Sequence, residues 1–486
     1  MPHRNASPHR NASRYRNASP YRNASPRPYA LRRPAVALTG LLVLAVASAA
    51  VAPAVGSGVT SQHSGLMQAI ASYRGAPVSV PGVTTLQRLP GLGQAIVAGT
   101  QSALARLAAS PAVTGLFPDD HVQLTGAADG AGGGVLASAG LGGRAGNRDA
   151  GRGVRVAVVD TGVTDSPALN RVSGRLVDGF SATETGSGPF ADSYGHGTFM
   201  ASLIAGGPVS GTKDRAVGVA PGARVIVVKV AGATGETSLG AVLSGLDWVV
   251  THRDLVDVAN LSFSHARPGS GYGADPLNAA IEKIRAAGIV PVVSAGNEAG
   301  QVGDPGFDPQ ALTVGAADLS DGAPQVAPFS GSGTVAGVRK PDLVANGMHV
   351  LGVLPAGSVV ANAHPEAQAA GGLWRGSGTS QATAVTSGAV ALFLQAHPAA
   401  TPGQVKASLR AAADELADVR SGSGLLRLAH HLLSGGDSSA AVGSADLTGE
   451  GGFDASSWSA SSWSASSWSA SSWSASSWSA SSWSAR

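Results

Sequence analysis

The 486-residue chain contains no cysteine. Disulfides and thiolate metal sites are therefore excluded, and any stability outside the cell must come from packing. Charged residues make up only 13% of the chain, whereas glycine is abundant, with 67 residues. This balance argues against a coiled coil or a disordered chain and is typical of a tightly turned α/β protein.

Acidic residues are missing from the first 50 positions, which carry eight arginines. The whole chain has a formal net charge of +3, so the part after residue 50 has a net charge of −5. If the leader is removed, the remaining protein is mildly acidic and lacks the electrostatic basis for binding nucleic acid. We therefore expect no nucleic-acid partner.

An apolar run without charges follows these arginines, PAVALTGLLVLAVASAAVAPAVG from Pro34. A basic segment, an apolar core and small residues at Ala47-Ser48-Ala49 predict a secretory signal within residues 1–55 and a secreted or cell-envelope location. An uncleaved anchor is the alternative, because the run approaches the ~20 residues that span a bilayer.

The RNAS repeat ahead of this core matches the N-glycosylation pattern, but its position indicates low-complexity expansion instead. Its asparagines are Asn5, Asn11, Asn17 and Asn23.

Three regions follow the leader. In residues 57–124, the segment LGQAIVAGTQSALARLAAS (92–110) predicts an amphipathic helix, and Val113, Leu116 and Val122 suggest a strand ending. Residues 125–150 are glycine-rich and predict a flexible connector. From Val154 to about Ala429, β-branched runs alternate with helical patterns, which predicts a parallel sheet covered by helices. The expected strands are VRVAVVD, ARVIVVKV, VDVANLSF, GIVPVVSAGN and ALTVGAAD, and the expected helices are 197–205, 238–251, 275–287 and 380–396.

Four polar residues lie at the ends of these elements. Asp160 and Asn297 end strands, whereas His196 and Ser380 open helices. Ligands of such a sheet bind at the carboxyl ends of its strands. A serine nucleophile needs a histidine base, the histidine needs a carboxylate, and the oxyanion needs donors such as an amide and a backbone N–H. Each residue alone is ordinary in a turn or as an N-cap, but their joint occurrence in this order predicts nucleophilic catalysis.

Three segments resemble the signatures of subtilisin-like serine proteases (subtilases, peptidase family S8) of the bacterial secreted type: VAVVDTGV at 156–163, GHGT at 195–198 and GTSQATA at 378–384. The order Asp, His, Ser along the chain is also that of subtilisin. SAGNEAG at 294–300 and VANLSFS at 258–264 are similar to the oxyanion and substrate-binding segments. The resemblance implies an α/β fold of three layers with a mainly parallel sheet, and a secreted serine endopeptidase.

The resemblance also implies a role for each matching residue. Asp160 would orient the base, His196 would be the general base and acid, Ser380 the nucleophile and Asn297 the oxyanion donor. Flanking strands and a specificity pocket would bind the substrate through Gly235, Glu236, Thr237, Ser262, Phe263, Ser264, Ser294, Ala295 and Gly296.

The sequence departs from the family pattern at four positions, which hold Phe199, Ser264, Gln381 and Ala384. None of them removes a catalytic group, but Ser264 replaces a glycine and is expected to narrow the pocket entrance. The segment GGPVSGTKDRA lacks a convincing set of oxygen ligands for calcium. No metal and no cofactor are expected.

The family further implies that residues 56–124 are an inhibitory propeptide of α+β structure. It would assist folding of the parallel sheet, which forms slowly, and would then occupy the active site until it is cut. The predicted boundaries are 1–55 for the leader, 56–124 for the propeptide, 125–150 for the connector, 151–435 for the peptidase domain and 436–486 for the tail. The expected partners are polypeptide substrates and the chain's own propeptide.

The tail repeats ASSWS six times, with tryptophans at 458, 463, 468, 473, 478 and 483. A period of five matches neither a helical stripe nor a strand face. Spaced tryptophans suit contact with the cell envelope, and a repeat without binding function is the alternative. A second hypothesis for the whole chain is therefore a catalytically silent cell-surface binding protein on a subtilase fold. The presence of Asp160, His196, Asn297 and Ser380 favours the enzyme.

Overall fold

The computed structural model describes residues 66–124, 127–128, 148–183, 188–210, 212, 216–265, 275–320, 323–335 and 337–428. All of them belong to one unit, His63–Arg486. The predicted leader, the repeat tail and most of the predicted connector lie outside the described residues. Within these ranges no helix combines the length and apolar character needed to cross a membrane.

The strands are numbered in chain order: β1 Met67–Tyr73, β2 Val83–Leu89, β3 Gln94–Gly99, β4 Val113–Pro118, β5 His121–Leu124, β6 Ala127–Ala128, β7 Arg155–Asp160, β8 Leu176–Ser181, β9 Arg224–Lys229, β10 Thr237–Ser238, β11 Val258–Leu261, β12 Phe263–His265, β13 Val290–Ser294, β14 Leu312–Asp318, β15 Gln325–Val326, β16 Gly333–Val335, β17 Val338–Lys340, β18 Leu343–Asn346, β19 Val350–Gly352 and β20 Trp374–Ser377. The α-helices are α1 Gln101–Ala108, α2 His196–Ala205, α3 Leu239–Thr251, α4 Pro276–Ala286, α5 Val359–Ala363, α6 Thr379–Ala396 and α7 Pro402–Ala412.

The amino-terminal part is a four-stranded antiparallel sheet in the order β2-β3-β1-β4, with α1 packed on one face. Ala71 and Val97 of the sheet share a buried cluster with Leu104 and Leu107 of α1. Alternate residues of a strand point to opposite faces, so one apolar face is enough to hold the helix. This part is the small α+β unit that the sequence predicts ahead of the peptidase domain.

The predicted helix over 92–110 is wrong in its first half. Gln94–Gly99 form β3, which hydrogen-bonds to β1 on one side and β2 on the other. The helix begins only after Thr100, whose hydroxyl accepts the N–H of Ala103 as an N-cap. The apolar pattern therefore extends over two short elements, and pairing with β1 and β2 decides the conformation of the first.

The central sheet has the order β15-β14-β13-β11-β7-β9-β8, and β18 also pairs with β14. Its pairs are parallel except for β14 with β15. Val156 and Val158 of β7 pack into the cluster that contains α2 and α6. Ala157 and Val159 face the cluster that contains α3 and α4. Helices thus cover both faces, which explains the continuous apolar runs and confirms the predicted three-layer α/β fold.

The predicted single strand VDVANLSF is broken at Ser262. Residues before it form β11 in the central sheet, whereas residues after it form β12 in a separate sheet with β5 and β10. The four predicted helices correspond to α2, α3, α4 and α6, with ends shifted by one residue or not at all. The break places Ser262 at the carboxyl edge of the central sheet.

Candidate active site

Asp160 and His196 are hydrogen-bonded at the carboxyl edge of the sheet. Asp160 ends β7 and His196 begins α2, and His196 Nδ1 lies 2.7 Å from Asp160 Oδ1 and 2.9 Å from Oδ2. Both side chains are buried. Gly197 makes this approach feasible, because a Cβ at that position would overlap the carbonyl oxygen of Gly162. The carboxylate therefore fixes the imidazole with Nε2 pointing away from it.

Ser380 is the second residue of α6 and is fully buried. Its hydroxyl donates to the carbonyl oxygen of Ser262 at 3.0 Å, and the Ser262 hydroxyl lies 3.3 Å from the carbonyl oxygen of Ser380. Among the residues that the structure describes, His196 Nε2 has no hydrogen-bond partner, so the hydrogen bond expected between Ser380 and His196 is not formed. The single hydroxyl proton of Ser380 is directed to Ser262 instead, and rotation about one side-chain bond redirects it.

Asn297 lies beside the amino end of α6. Its Oδ1 accepts the N–H of Thr379 at 3.0 Å and the Thr379 hydroxyl at 2.9 Å. With the amide oxygen held by two donors, Nδ2 is the part of the side chain that can donate to another group. The residue before the candidate nucleophile thereby orients the candidate oxyanion donor.

The strand β5 lies between β10 and β12 and is antiparallel to both. Val122 is opposite Thr237 on one side and His265 on the other, and Leu124 is opposite Phe263. Three of the predicted substrate residues, Thr237, Phe263 and Ser264, thus pair with an extended segment. The others do not: Gly235 and Glu236 precede β10 in a turn, where the Glu236 carbonyl accepts the N–H of Gly232, and Ser262 contacts Ser380.

The strand β6 pairs with β20, close to Ser380 in sequence. Ala127 pairs with Ser377 and Ala128 with Gly376 of β20, which ends three residues before Ser380. Residues 125 and 126, between these strands, lie outside the described residues. An extended segment is therefore held on both sides of the candidate nucleophile.

The amino-acid sequence of the larger part of the chain matches a known protein family. A model described as Subtilase family, Peptidase_S8, matches residues 151–431. This chain belongs to the subtilase family.

Similar proteins include serine protease AprX of Bacillus subtilis (strain 168), which is 33% identical over 282 residues, covering 55% of this chain and 63% of the relative. Subtilisin E of the same organism is 32% identical over 272 residues, covering 55% of this chain and 62% of the relative. The match therefore spans less than two thirds of these relatives. The crystal structure of fervidolysin from Fervidobacterium pennivorans, a keratinolytic enzyme related to subtilisin, has a TM-score of 0.59 at 21% identity. It covers 76% of this chain and 61% of its own, and it supports the fold.

The predicted pocket residues of the subtilase domain lie against β12. The Ser294 hydroxyl donates to the Phe263 carbonyl at 2.9 Å. Ala295 accepts the N–H of Gly303 through its carbonyl, and Gly296 follows with a φ of 93°. All three predicted pocket residues are buried. These three residues directly precede Asn297 in the chain.

Sequence reasoning missed Asp192, a buried carboxylate beneath the Asp160–His196 pair. Its oxygens accept four hydrogen bonds, from the Thr161 hydroxyl, the N–H of Gly195, and the N–H and hydroxyl of Thr198. Burial raises the pKa of Asp192, and these hydrogen bonds oppose that shift. Its signal in the sequence is weak: an acid three residues before the N-cap Gly195, which has no capping side chain of its own.

The remaining departures from the family pattern lie inside helices of this subtilase. Phe199 is buried in α2, and Gln381 and Ala384 are buried in α6. Within the described residues, no group of three or more His, Cys, Asp or Glu side chains could hold a metal ion. The expectation that no metal is needed stays a prediction.

Proposed function

We propose that this subtilase is a serine endopeptidase that hydrolyses peptide bonds. The proposal rests on the hydrogen-bonded pair of Asp160 and His196. Near this pair, the extended segment β5 pairs with β10 and with β12, the strand that directly follows Ser262, the hydrogen-bond partner of Ser380. Family membership supports the same activity. Antiparallel pairing to β10 and β12 holds a peptide by its main chain, which suits substrates of varied sequence.

The reaction follows from these positions. Ser380 Oγ attacks the carbonyl carbon of the bound peptide, and His196 Nε2 takes the hydroxyl proton. Asp160 stabilises the imidazolium that forms. Asn297 Nδ2 and the N–H of Ser380 donate to the oxyanion. The C–N bond then breaks, the amine leaves with the proton from His196, and water releases the acyl group by the same steps.

We also propose that residues 56–124, of which the structure describes 66–124, act as an inhibitory propeptide. Asp119 accepts the N–H of Gly240 at 2.6 Å, in the first turn of α3, and Asp247 of α3 accepts the N–H of Leu92 at 3.2 Å. Gln94 donates to the carbonyl of Pro276 at the start of α4 at 3.0 Å.

The apolar part of this contact is continuous with the core of the peptidase domain. One buried cluster contains Leu89, Leu92 and Ile96 from the amino-terminal sheet together with Val242, Leu246 and Leu277 from α3 and α4. Burial of several such side chains stabilises the contact by about 1.5–3 kcal/mol for each one fully buried. With β5 in the cleft, these contacts support inhibition until the linking chain is cut.

The location of the protein and the function of its tail are proposed from the sequence alone. The basic, then apolar leader supports export, and an uncleaved anchor is the alternative outcome. The spaced tryptophans support contact with the cell envelope.

A phosphonylating reagent directed at serine nucleophiles tests the proposed activity. The processed wild type should be labelled once, on Ser380, and should digest an unfolded protein, whereas Ser380→Ala should do neither. Ser320→Ala is a matched control, because Ser320 is exposed after β14 and outside the site. A processed wild type that stays unlabelled and inert would support the catalytically silent binding protein instead.

A further inference from the structure

A cleft of about 460 Å³ lies at the amino edge of the central sheet, and arginines line it. Its walls are the loop that leads into β7 and the turns that lead into β8 and β9. Asp160 ends β7 at the opposite edge of the sheet, so this cleft is separate from the candidate active site. Its volume is in the range of about 300–1,000 Å³ that is usual for sites of small ligands.

The cleft carries an excess of positive charge. Five arginines and one acid line it: Arg148, Asp149, Arg152, Arg155, Arg175 and Arg224. Asp149 pairs with Arg152, and Asp257 accepts two hydrogen bonds from the guanidinium of Arg155. Within the described part of the chain, no ion pair involves Arg148, Arg175 or Arg224. The described residues thus provide no counter-ion for three positive charges, although the chain after residue 50 has a net charge of −5.

Arg175 is held in a fixed position in this cleft. Its Nε donates to the carbonyl oxygen of Pro221 at 3.0 Å, which leaves the two Nη groups to donate elsewhere. Its guanidinium packs against Gly207, where a built Cβ would lie 3.0 Å from Cζ and from Nη2. Burial and the charge of Arg148 both lower the pKa of Arg175, so the two arginines are close enough to repel each other. An anion bound to both would relieve that repulsion.

Arg224 and the loop before β7 complete the cleft. Arg224 is exposed at the start of β9, directly beside Arg155 of β7 in the parallel register. The loop that carries Arg148 is tied to α6, because the Gln395 side chain accepts the N–H of Gly151 at 2.7 Å. Arginines from three separate segments therefore line one volume on a backbone that is already hydrogen-bonded.

We propose that this cleft is a binding site for a small anion that carries one or two phosphate groups. Planar guanidinium groups form paired hydrogen bonds with phosphate oxygens. A phosphate monoester carries about −1.5 to −2 charges at pH 7, more than a single carboxylate does, so three arginines favour phosphate. The site goes beyond the proposed function and does not involve Ser380.

Isothermal titration calorimetry with sodium pyrophosphate tests the proposal in the Ser380→Ala protein, which avoids self-digestion. Pyrophosphate should bind, and it should raise the melting temperature relative to sodium chloride at equal ionic strength, since a ligand of the folded state stabilises that state. Arg148→Gln combined with Arg224→Gln should weaken binding by about tenfold or more, because a hydrogen bond to a charged group changes an equilibrium by about that factor. Arg339→Gln is the matched control: Arg339 is an exposed arginine of β17 outside the cleft, and its variant should bind like the parent.

Three results would overturn the proposal: no binding of pyrophosphate, equal binding by the parent and the double variant, or binding of phosphatidylcholine vesicles with phosphatidylglycerol in place of pyrophosphate. If the double variant fails to fold, labelling of the parent with phenylglyoxal, an arginine reagent, decides. Pyrophosphate should protect Arg148 and Arg224 from the reagent but not Arg339. Protection of none of them, or of all three alike, contradicts a site in this cleft.

Discussion

The Thr161 hydroxyl donates to the buried carboxylate of Asp192, with the two oxygens 2.8 Å apart. Because a hydroxyl has one proton, this bond leaves the Thr161 oxygen to accept the N–H of Gly197 at 2.9 Å. Thr161 directly follows Asp160, and Gly197 directly follows His196. Asp192 therefore couples the strand end that carries the carboxylate to the helix start that carries the imidazole.

Asp192→Asn should lower kcat by about tenfold to a hundredfold with little change in KM. Each Asp192 oxygen accepts two donors, and the amide nitrogen of Asn accepts none, so two buried donors lose their acceptor. A resulting shift of His196 against Asp160 is costly, since misplacement of about 1 Å reduces rates by about 10². Steady-state kinetics with active-site titration would measure the effect per active molecule.

Asp257→Asn serves as the matched control for Asp192. Asp257 also accepts a backbone N–H, that of Arg155 at 2.8 Å, but at the amino end of β7, away from the site. Its replacement should leave kcat per active site unchanged. If Asp192→Asn lowers only the melting temperature and keeps the wild-type kcat, Asp192 has no positioning role.

Asn297→Ala should lower kcat by about 10²–10³, the range known for loss of one oxyanion donor in a subtilisin. KM should change little, because the amide acts on charge that develops in the transition state. Asn297→Asp separates two effects: it keeps an acceptor for the N–H and hydroxyl of Thr379 but has no donor. Activity close to wild type in the Asp variant would show that Asn297 only supports Thr379.

Asp308→Asn should flatten the dependence of stability on pH. Burial raises the pKa of Asp308 to about 6, and within the described part of the chain its buried Oδ2 has no hydrogen-bond partner. The folded state thus binds the proton more tightly than the unfolded state. The stability that protonation contributes is fully present below the unfolded pKa of about 3.8 and is lost as the pH rises through about 6, a change of about 2–3 kcal/mol.

The measurement is calorimetry at pH 4.5 and 7.5 in a Ser380→Ala background, which avoids self-digestion. The parent should lose the contribution of protonated Asp308 as the pH rises from 4.5 to 7.5, and Asp308→Asn should not. The melting temperature of the variant should therefore rise relative to that of the parent between pH 4.5 and pH 7.5. Asp165→Asn is the contrasting control, because hydrogen bonds from Arg171 lower the pKa of Asp165, so its contribution is lost as the pH falls. If the stability of the parent and of Asp308→Asn depends on pH in the same way, the pKa of Asp308 is not raised in the folded protein.

The central sheet and the pair of Asp160 and His196 could be predicted from sequence for a physical reason. A parallel strand covered on both faces must be apolar throughout, and its polar residues then stand out where it ends. Asp160 is such a residue. Gly197, next to His196, marks the close approach of α2 to the loop after β7, and this glycine is visible in the sequence.

Other features depend on contacts with distant residues and leave no local pattern. Gln94–Gly99 became a strand because β1 and β2 flank it, although its apolar content continues into α1. The break at Ser262 arises because β12 pairs with β5, some 140 residues earlier in the chain. Asp192 has a role only after β7 and α2 are packed together.

Maturation should produce a mature protein that begins at Thr125, Gly126 or Ala127. β5 pairs with β12 as far as Leu124, and β6 pairs with β20 from Ala127, so we expect the cut at one of the three bonds that join these two strands. Mass spectrometry of purified wild type would identify the new amino terminus. Ser380→Ala should fold and keep residues 66–124 attached, because the nucleophile is missing and the docked sheet holds β5 in the cleft.

The pairing of β5 also predicts that the chain is cut after β5 by its own active site and only slowly by another copy of the enzyme. In a host without other extracellular proteases, Ser380→Ala should remain uncut, and mixing it with active wild type should cut it slowly, since β5 already fills its own cleft. A mature terminus well inside residues 130–147 would mean that the bond held at Ser380 is not the one finally cut. Cutting of Ser380→Ala between Leu124 and Ala127 at the wild-type rate would show that another protease matures the chain and that the pairing of β5 and β6 serves inhibition alone.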